Sequence, residues 1–230
     1  MKKQFKVIGM VVAMDKEITP FLSSVGERVC EEQRGCFTVF GYELFGKKIY
    51  LIKSGIGEIY ASAATQLLIS EYKVDVIMNF GVCGSLVKSV GVFDSVIVKG
   101  VVHYDFDLSG IDNVVVGQYP GYETPVIKTD ETLLEVCKKA MPNASEVLCA
   151  SADKFVSDKE VKERLYADFG AKVCDMESAG VLLTAKGFNV PTVIIKAVSD
   201  GEGGAEEFAL CVHKASTQYI DALKEIVKEF

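Results

Sequence analysis

Short apolar runs alternate along the chain with stretches whose apolar residues recur at helical spacing. Residues 6–13 are almost all apolar, the pattern of a central strand covered on both faces. Asp15 stands where it can cap a following helix, and Glu17 falls in that helix's first turn, where the backbone dipole tolerates a carboxylate. Residues 37–45 and 48–54 read as two strands turning through Gly46. After Ser54-Gly55-Ile56-Gly57, a helix is predicted over Glu58–Tyr72, with Ala61, Ser62, Ala63 and Ala64 allowing close packing. Residues 74–80 predict a second buried strand, and Gly81-Val82-Cys83-Gly84-Ser85 reads as a loop at its carboxyl end, where open α/β sheets place ligands.

The alternation continues to the end of the chain. A β-prone stretch at 92–102 precedes a polar, Gly-containing region at 103–124, which reads as a functional loop rather than a passive link. Helices are predicted at 129–140, 159–168 and 176–186, and strands at 146–151 and 191–198. Residues 205–230 carry helical periodicity through Leu210, Ile220, Leu223 and Ile226. There is no repeat, charge run or Pro/Ser-rich linker. The expectation is a single α/β domain over residues 1–230, a central mixed β-sheet flanked by helices.

Composition narrows the partners. The 230 residues are 49% hydrophobic and 25% charged, an ordinary globular balance. Lys and Arg total 25 against 32 Asp and Glu, a net charge of −7, which repels nucleic acid and anionic membrane surfaces. The basic start and the short apolar run behind it read as a strand feeding a helix, not as a signal peptide, and no apolar stretch is long enough to span a bilayer. Seven scattered cysteines without a C-x-x-C pair suggest reduced thiols in a cytoplasmic protein, neither a disulfide framework nor a zinc site.

Three acids stand where apolar segments give way to loops or helices: Glu17, Glu177 in Asp175-Met176-Glu177-Ser178-Ala179, and Asp200 in Ala197-Val198-Ser199-Asp200-Gly201. Taken singly, each has a plain structural explanation as a helix-start or turn residue. In order and spacing, however, six segments resemble the nucleoside phosphorylase and nucleosidase superfamily, most closely its bacterial 5′-methylthioadenosine/S-adenosylhomocysteine nucleosidases. They are Ala13-Met14-Asp15-Lys16-Glu17, Ser54-Gly55-Ile56-Gly57, Asn79-Phe80-Gly81-Val82-Cys83-Gly84, Ser151-Ala152-Asp153-Lys154-Phe155-Val156, Asp175-Met176-Glu177-Ser178-Ala179 and Ala197-Val198-Ser199-Asp200.

The resemblance implies roles. Asp200 would protonate N7 of a purine leaving group, with Ser199 positioning its carboxylate, and Glu17 would deprotonate the attacking water. Glu177 would hold the ribose hydroxyls with Met176 packed on the sugar. Phe155 would stack on the base, the Val156 backbone would read its edge, and Gly84 would line the pocket. Phe208 is a further candidate ligand aromatic. The resemblance also implies a homodimer that uses no cofactor or metal, with the region around 111–118 enclosing the 5′ substituent. The chemistry is coherent: cleaving an N-glycosidic bond needs an acid for the leaving group, an anion near the cationic sugar and a base for water.

Two alternatives stay open, a phosphate-dependent purine nucleoside phosphorylase and a non-catalytic nucleoside-binding protein. Phosphorylases grip phosphate with arginine, but the arginines here are Arg28, Arg34 and Arg164, none in the segments above, leaving Lys53, Lys154 or Lys196 as point charges. Two departures from the nucleosidase pattern are Val82, where a hydroxyl is common, and Lys196, where arginine is usual. Cys83 reads as a buried thiol rather than a nucleophile, and His103 as a hydrogen-bonding loop residue rather than a metal ligand.

Overall fold

The computed structural model describes residues 4–230; Met1–Lys3 of the basic flank lie outside them. Its strands are β1 (Val7–Val12), β2 (Cys30–Arg34), β3 (Phe37–Leu44), β4 (Lys47–Lys53), β5 (Val76–Ser85), β6 (Ser95–His103), β7 (Ile127–Lys128), β8 (Ser145–Ser151), β9 (Val173–Asp175) and β10 (Thr192–Asp200). The helices are α1 (Asp15–Leu22), α2 (Glu58–Tyr72), α3 (Glu131–Ala140), α4 (Lys159–Phe169), α5 (Ser178–Gly187), α6 (Gly204–Ala215) and α7 (Ile220–Glu229).

All strands join one mixed sheet in the order β10-β6-β8-β9-β5-β1-β4-β3-β2, with β7 on β6. Because β10 also pairs with β5, the strands β5, β10, β6, β8 and β9 close into a ring, and β1, β4, β3 and β2 extend from it as a wing. Every residue of β5 and of β10 is buried, as expected of strands covered on both faces. On one face Phe80 packs against Phe21 of α1 and against Tyr219, with ring centroids 5.5 Å apart in each case. On the other, α2 lies close on α5 through Ala61, Ala64 and Gly180, where a Cβ would collide with the Glu58 carbonyl. Of the small residues expected to pack, Ala61 and Ala64 are buried here, Ser62 is half-buried and Ala63 is exposed.

The expected α/β domain is present, with three local differences. Gly81–Ser85 is not a loop: β5 runs through it, paired to β10 on one side and, at its end, to β9 on the other. Here the glycines mark close approaches of side chains to the strand rather than a chain reversal. Asp15 does not cap α1. Met14 holds the extended cap position, the Glu17 carboxylate accepts its N–H, and Asp15 turns outward to Lys53 at 2.7 Å. Residues 205–230 split into α6 and α7. The polar edge strand β2 and the very short β7 and β9 carry no apolar alternation to announce them. Strands β1 and β10 flank β5 and run parallel to it, so the carboxyl ends of all three, with the residues that follow, lie at one edge of the sheet.

Candidate active site

Glu17 is pulled inward from the first turn of α1 and is 2% exposed. Its two oxygens accept the N–H of Met14 at 2.8 Å and of Val82 at 2.7 Å, so one carboxylate both caps its helix and docks on β5. Burial pushes its pKa up, opposed by Lys196 and by these backbone donors, and a raised pKa makes the carboxylate a stronger base than an exposed one. The side chain of Val82, a departure from the nucleosidase pattern, packs in the core; its N–H is what meets the site. Gly81 makes room for Glu17, because a Cβ there would fall 2.5 Å from Oε1 on a backbone at φ 155°. Gly81→Ala is therefore expected to lower kcat by roughly 10²-fold through displacement of the carboxylate, measurable by steady-state assay beside an unchanged fold.

Asp200 closes β10, in register with Gly84, after an irregularity between Val198 and Asp200. Its Oδ1 accepts from the Ser199 hydroxyl at 2.8 Å, and that hydroxyl also lies 3.3 Å from the Cys83 carbonyl. Burial raises the Asp200 pKa, partly offset by Ser199 and by Lys162, while Glu207 adds to the rise. A carboxyl so placed holds a proton more tightly than an exposed one, the direction a general acid needs. Gly84 lies beneath it, with Asp200 Oδ2 3.1 Å from where a Cβ would stand. Glu17 thus sits over Gly81 and Asp200 over Gly84, and the rise of a strand sets these anchor points about 10 Å apart.

Glu177 is the third acid, at the start of α5, and is 7% exposed. It does not cap its own helix; its Oε1 accepts the Gly57 N–H, at the start of α2, at 3.1 Å. Burial and the charges of Asp175 and Glu17 raise it to about 8 against the pull of Lys196. Lys196 lies in the middle of β10, 1% exposed, with Nζ 2.8 Å from Asp175 Oδ2. Burial opposes its charge, but Asp175, Glu177 and Glu17 outweigh that and hold it firmly protonated. The same pairing, with the hydroxyls of Ser151 and Ser178, keeps Asp175 ionised although buried. One cation thus faces three carboxylates.

The other expected site residues divide. Phe155 is 41% exposed and meets Phe208 edge-on at 5.7 Å, which gives an aromatic pair at the rim of the loop after β8. Val156 is buried, Met176 is half-buried one residue before Glu177, and Ser199 is fully buried beside Asp200. Cys83 is buried and its thiol is pushed well up, leaving no reactive thiolate. His103 hydrogen-bonds Tyr119 at 2.7 Å through Nδ1 and meets Asp105 at 2.9 Å through Nε2. Lys53 is engaged by Asp15 and Lys154 is exposed, while Arg28 and Arg34 pair with Glu31, Glu32 and Glu71 around β2 and Arg164 is exposed on α4.

Sequence reasoning missed Lys162 and the partner of Lys196. Lys162, on α4, donates to the Gly201 carbonyl at 2.5 Å and stands 3.9 Å from Asp200 Oδ2. It gives no signal, being an ordinary polar helix residue until α4 folds over Gly201. Lys196 does give one: a lone lysine in Thr192-Val193-Ile194-Ile195-Lys196-Ala197-Val198 has to be buried with the strand and therefore paired.

The phosphorylase superfamily profile matches residues 7–230. A 5′-methylthioadenosine/S-adenosylhomocysteine nucleosidase of Shewanella loihica is 33% identical over 201 residues, 84% of this chain and 85% of the relative. The futalosine hydrolase of Helicobacter pylori superposes with a TM-score of 0.93 at 30% identity, covering 98% of each chain. A 5′-methylthioadenosine/S-adenosylhomocysteine nucleosidase of the same organism, solved with butyl-thio-DADMe-Immucillin-A, matches at TM-score 0.93 and 30% identity over 99% of this chain and 100% of its own. By sequence over nearly its whole length and by fold, the chain belongs to the phosphorylase superfamily.

Proposed function

We propose that the protein hydrolyses the N-glycosidic bond of a purine nucleoside, an adenosine with a 5′ thioether such as 5′-methylthioadenosine or S-adenosylhomocysteine, and releases adenine and the ribose derivative. The observation that supports this reading is the burial of three acids around neighbouring strands: Glu17 and Glu177 both face Lys196, while Glu17 and Asp200 pack against Gly81 and Gly84 of the same strand, β5. Asp200 gives its proton to N7 as the C1′–N9 bond breaks and its electrons pass to the base. Glu17 takes a proton from the water whose oxygen bonds C1′. Glu177 meets the ribose hydroxyls and, in its ionised form, counters the positive charge that builds on the sugar. Phe155 stacks on the base, the Val156 backbone reads its edge, Met176 packs on the ribose, and Ser199 and Gly84 shape the acid's seat.

Water is favoured over phosphate because both buried lysines beside the acids are already committed, Lys196 to Asp175 and Lys162 to the Gly201 carbonyl and Asp200, and each arginine lies elsewhere. The experiment is a panel of 5′-methylthioadenosine, S-adenosylhomocysteine, futalosine, adenosine and inosine, with and without phosphate, followed by chromatography of the freed base. Release of adenine in phosphate-free buffer is the expected result. Strict dependence on phosphate would establish the phosphorylase instead, and no release from any nucleoside would leave a binding protein.

The working form in this reading is a cytoplasmic homodimer. Ile56, Ile59 and Tyr60 are 54%, 77% and 53% exposed beside Gly57, an apolar group at the rim of the crevice that a second copy would cover. The cysteines are free thiols, in keeping with a reducing compartment. Sedimentation of the protein at micromolar concentration should give twice the chain mass.

A further inference from the structure

The first turn of α2 carries a carboxyl group that the proposed chemistry does not use. Glu58 follows Gly57, whose N–H seats Glu177, and it is 7% exposed. Its Oε1 lies 2.5 Å from the Ser151 hydroxyl, and its Oε2 accepts the N–H of Gly180 in α5. The two neighbours of Glu177, the start of α2 and the first turn of α5, are therefore tied to each other through this one side chain.

Counting protons fixes its state. The Ser151 oxygen is 2.5 Å from Glu58 and 2.6 Å from Asp175 Oδ1, and it also accepts the Ala179 N–H at 3.1 Å. A hydroxyl has one hydrogen and cannot donate to both carboxylates. One of the two acids must supply the second proton. Asp175 is ion-paired with Lys196 and also takes the Ser178 hydroxyl, so it is the anion. Glu58 then carries the proton and donates it to Ser151, which donates in turn to Asp175. The groups around Glu58 agree with a neutral acid: Asp153 accepts its backbone N–H at 2.7 Å, Asp175 and Glu177 stand behind Ser151 and Gly57, a charge on Glu58 would push up the Tyr104 and Tyr119 hydroxyls, and Lys196 is paired with Asp175. Burial first, then Asp175, raise its pKa to about 7.

We propose that Glu58 is a positioning residue that works as a neutral acid, clamping the seat of Glu177, and that its ionisation loosens this clamp and turns the enzyme down above neutrality. Once Glu58 is ionised, two carboxylates compete for the single Ser151 hydrogen, one oxygen pair is left without a proton, and repulsion parts α2 from β9. The Gly57 N–H then withdraws from Glu177, and ribose binding suffers before chemistry does.

This inference rests on the nucleosidase reading, and the test has an arm that does not. Glu58→Gln keeps the neutral shape, with its amide donating to Ser151 and its carbonyl accepting from Gly180. Its kcat/KM at pH 6 should stay within about threefold of the parent. Between pH 6 and pH 8 the parent should lose about tenfold more than the variant, mainly through KM, as a group titrating near 7 implies. Glu58→Ala should raise KM at every pH. Melting supplies the independent arm. Folding raises the Glu58 pKa from 4.5 to about 7, so the folded chain binds the extra proton and stability falls as pH rises through that window. The parent Tm should decline more steeply than that of Glu58→Gln from pH 5 to 7, whether or not any nucleoside is cleaved. Equal pH profiles in parent and variant, parallel melting curves, or a Glu58→Gln protein less stable than the parent at pH 8 would each overturn the proposal. Absence of base release from the parent at pH 6 would instead overturn the nucleosidase reading, with the melting arm still deciding the state of Glu58.

Discussion

Asp200→Asn will fold with the parent's Tm and lose about 10²–10⁴-fold in kcat, while KM moves by no more than a few-fold. The asparagine keeps the size of the side chain and can still accept from the Ser199 hydroxyl, which holds Asp200 Oδ1 at 2.8 Å. Burial already disfavours the Asp200 charge, so replacing it with a neutral amide costs little stability. What it cannot do is deliver a proton to a departing purine. Glu17→Gln should lose as much turnover but also some stability. The glutamate accepts two backbone N–H groups, from Met14 and Val82, and an amide can accept only one while its NH₂ faces the other donor. A cost of about 1–3 kcal/mol follows from that unsatisfied contact. Thermal melts beside steady-state kinetics separate the two, and an Asp200→Asn enzyme within a few-fold of the parent would remove Asp200 from the role of acid.

Most of the sheet could be read from the chain because strands β1, β5 and β10 are buried on both faces and so are written as continuous apolar runs. What misled at Gly81–Ser85 was composition. Glycine usually ends a strand, yet here it is spent on the approach of Glu17 at Gly81 and of Asp200 at Gly84, a demand made by tertiary neighbours and invisible locally. The same holds for the cap of α1. Asp15 is the better cap by type, but Glu17 takes the Met14 N–H because its carboxylate must lie against β5 in any case. The three acids were legible as types and positions. Their mutual field was not, because it depends on Lys196, Asp175, Glu58 and Ser151 arriving from four separate elements.

That field makes Lys196→Met the most disruptive single change in the crevice. The lysine is fully buried with Asp175 at 2.8 Å, and losing one partner of such a pair leaves an uncompensated charge that costs about 3–5 kcal/mol. For a chain of this size that is a fall in Tm of roughly 6–20 °C. The loss should depend on pH in a definite direction. In the parent, Lys196 holds the Asp175 pKa below its ordinary value, so this pair's stabilisation is present above pH 4 or so and fades as pH falls through the lowered value. Without the lysine, burial raises Asp175 instead, and the variant becomes less stable as pH rises. The gap between the two proteins should therefore be widest at neutral and alkaline pH and close towards pH 4. Adding Asp175→Asn removes the stranded charge, and the double variant should recover most of the lost Tm. It should not recover activity. Glu17 and Glu177 still lose the cation that lowers both, so both carboxyls hold their protons to higher pH and the working range moves up with them. A double variant that regains both stability and neutral-pH turnover would show that Lys196 serves the fold alone, and the electrostatic account of the crevice would fail with it.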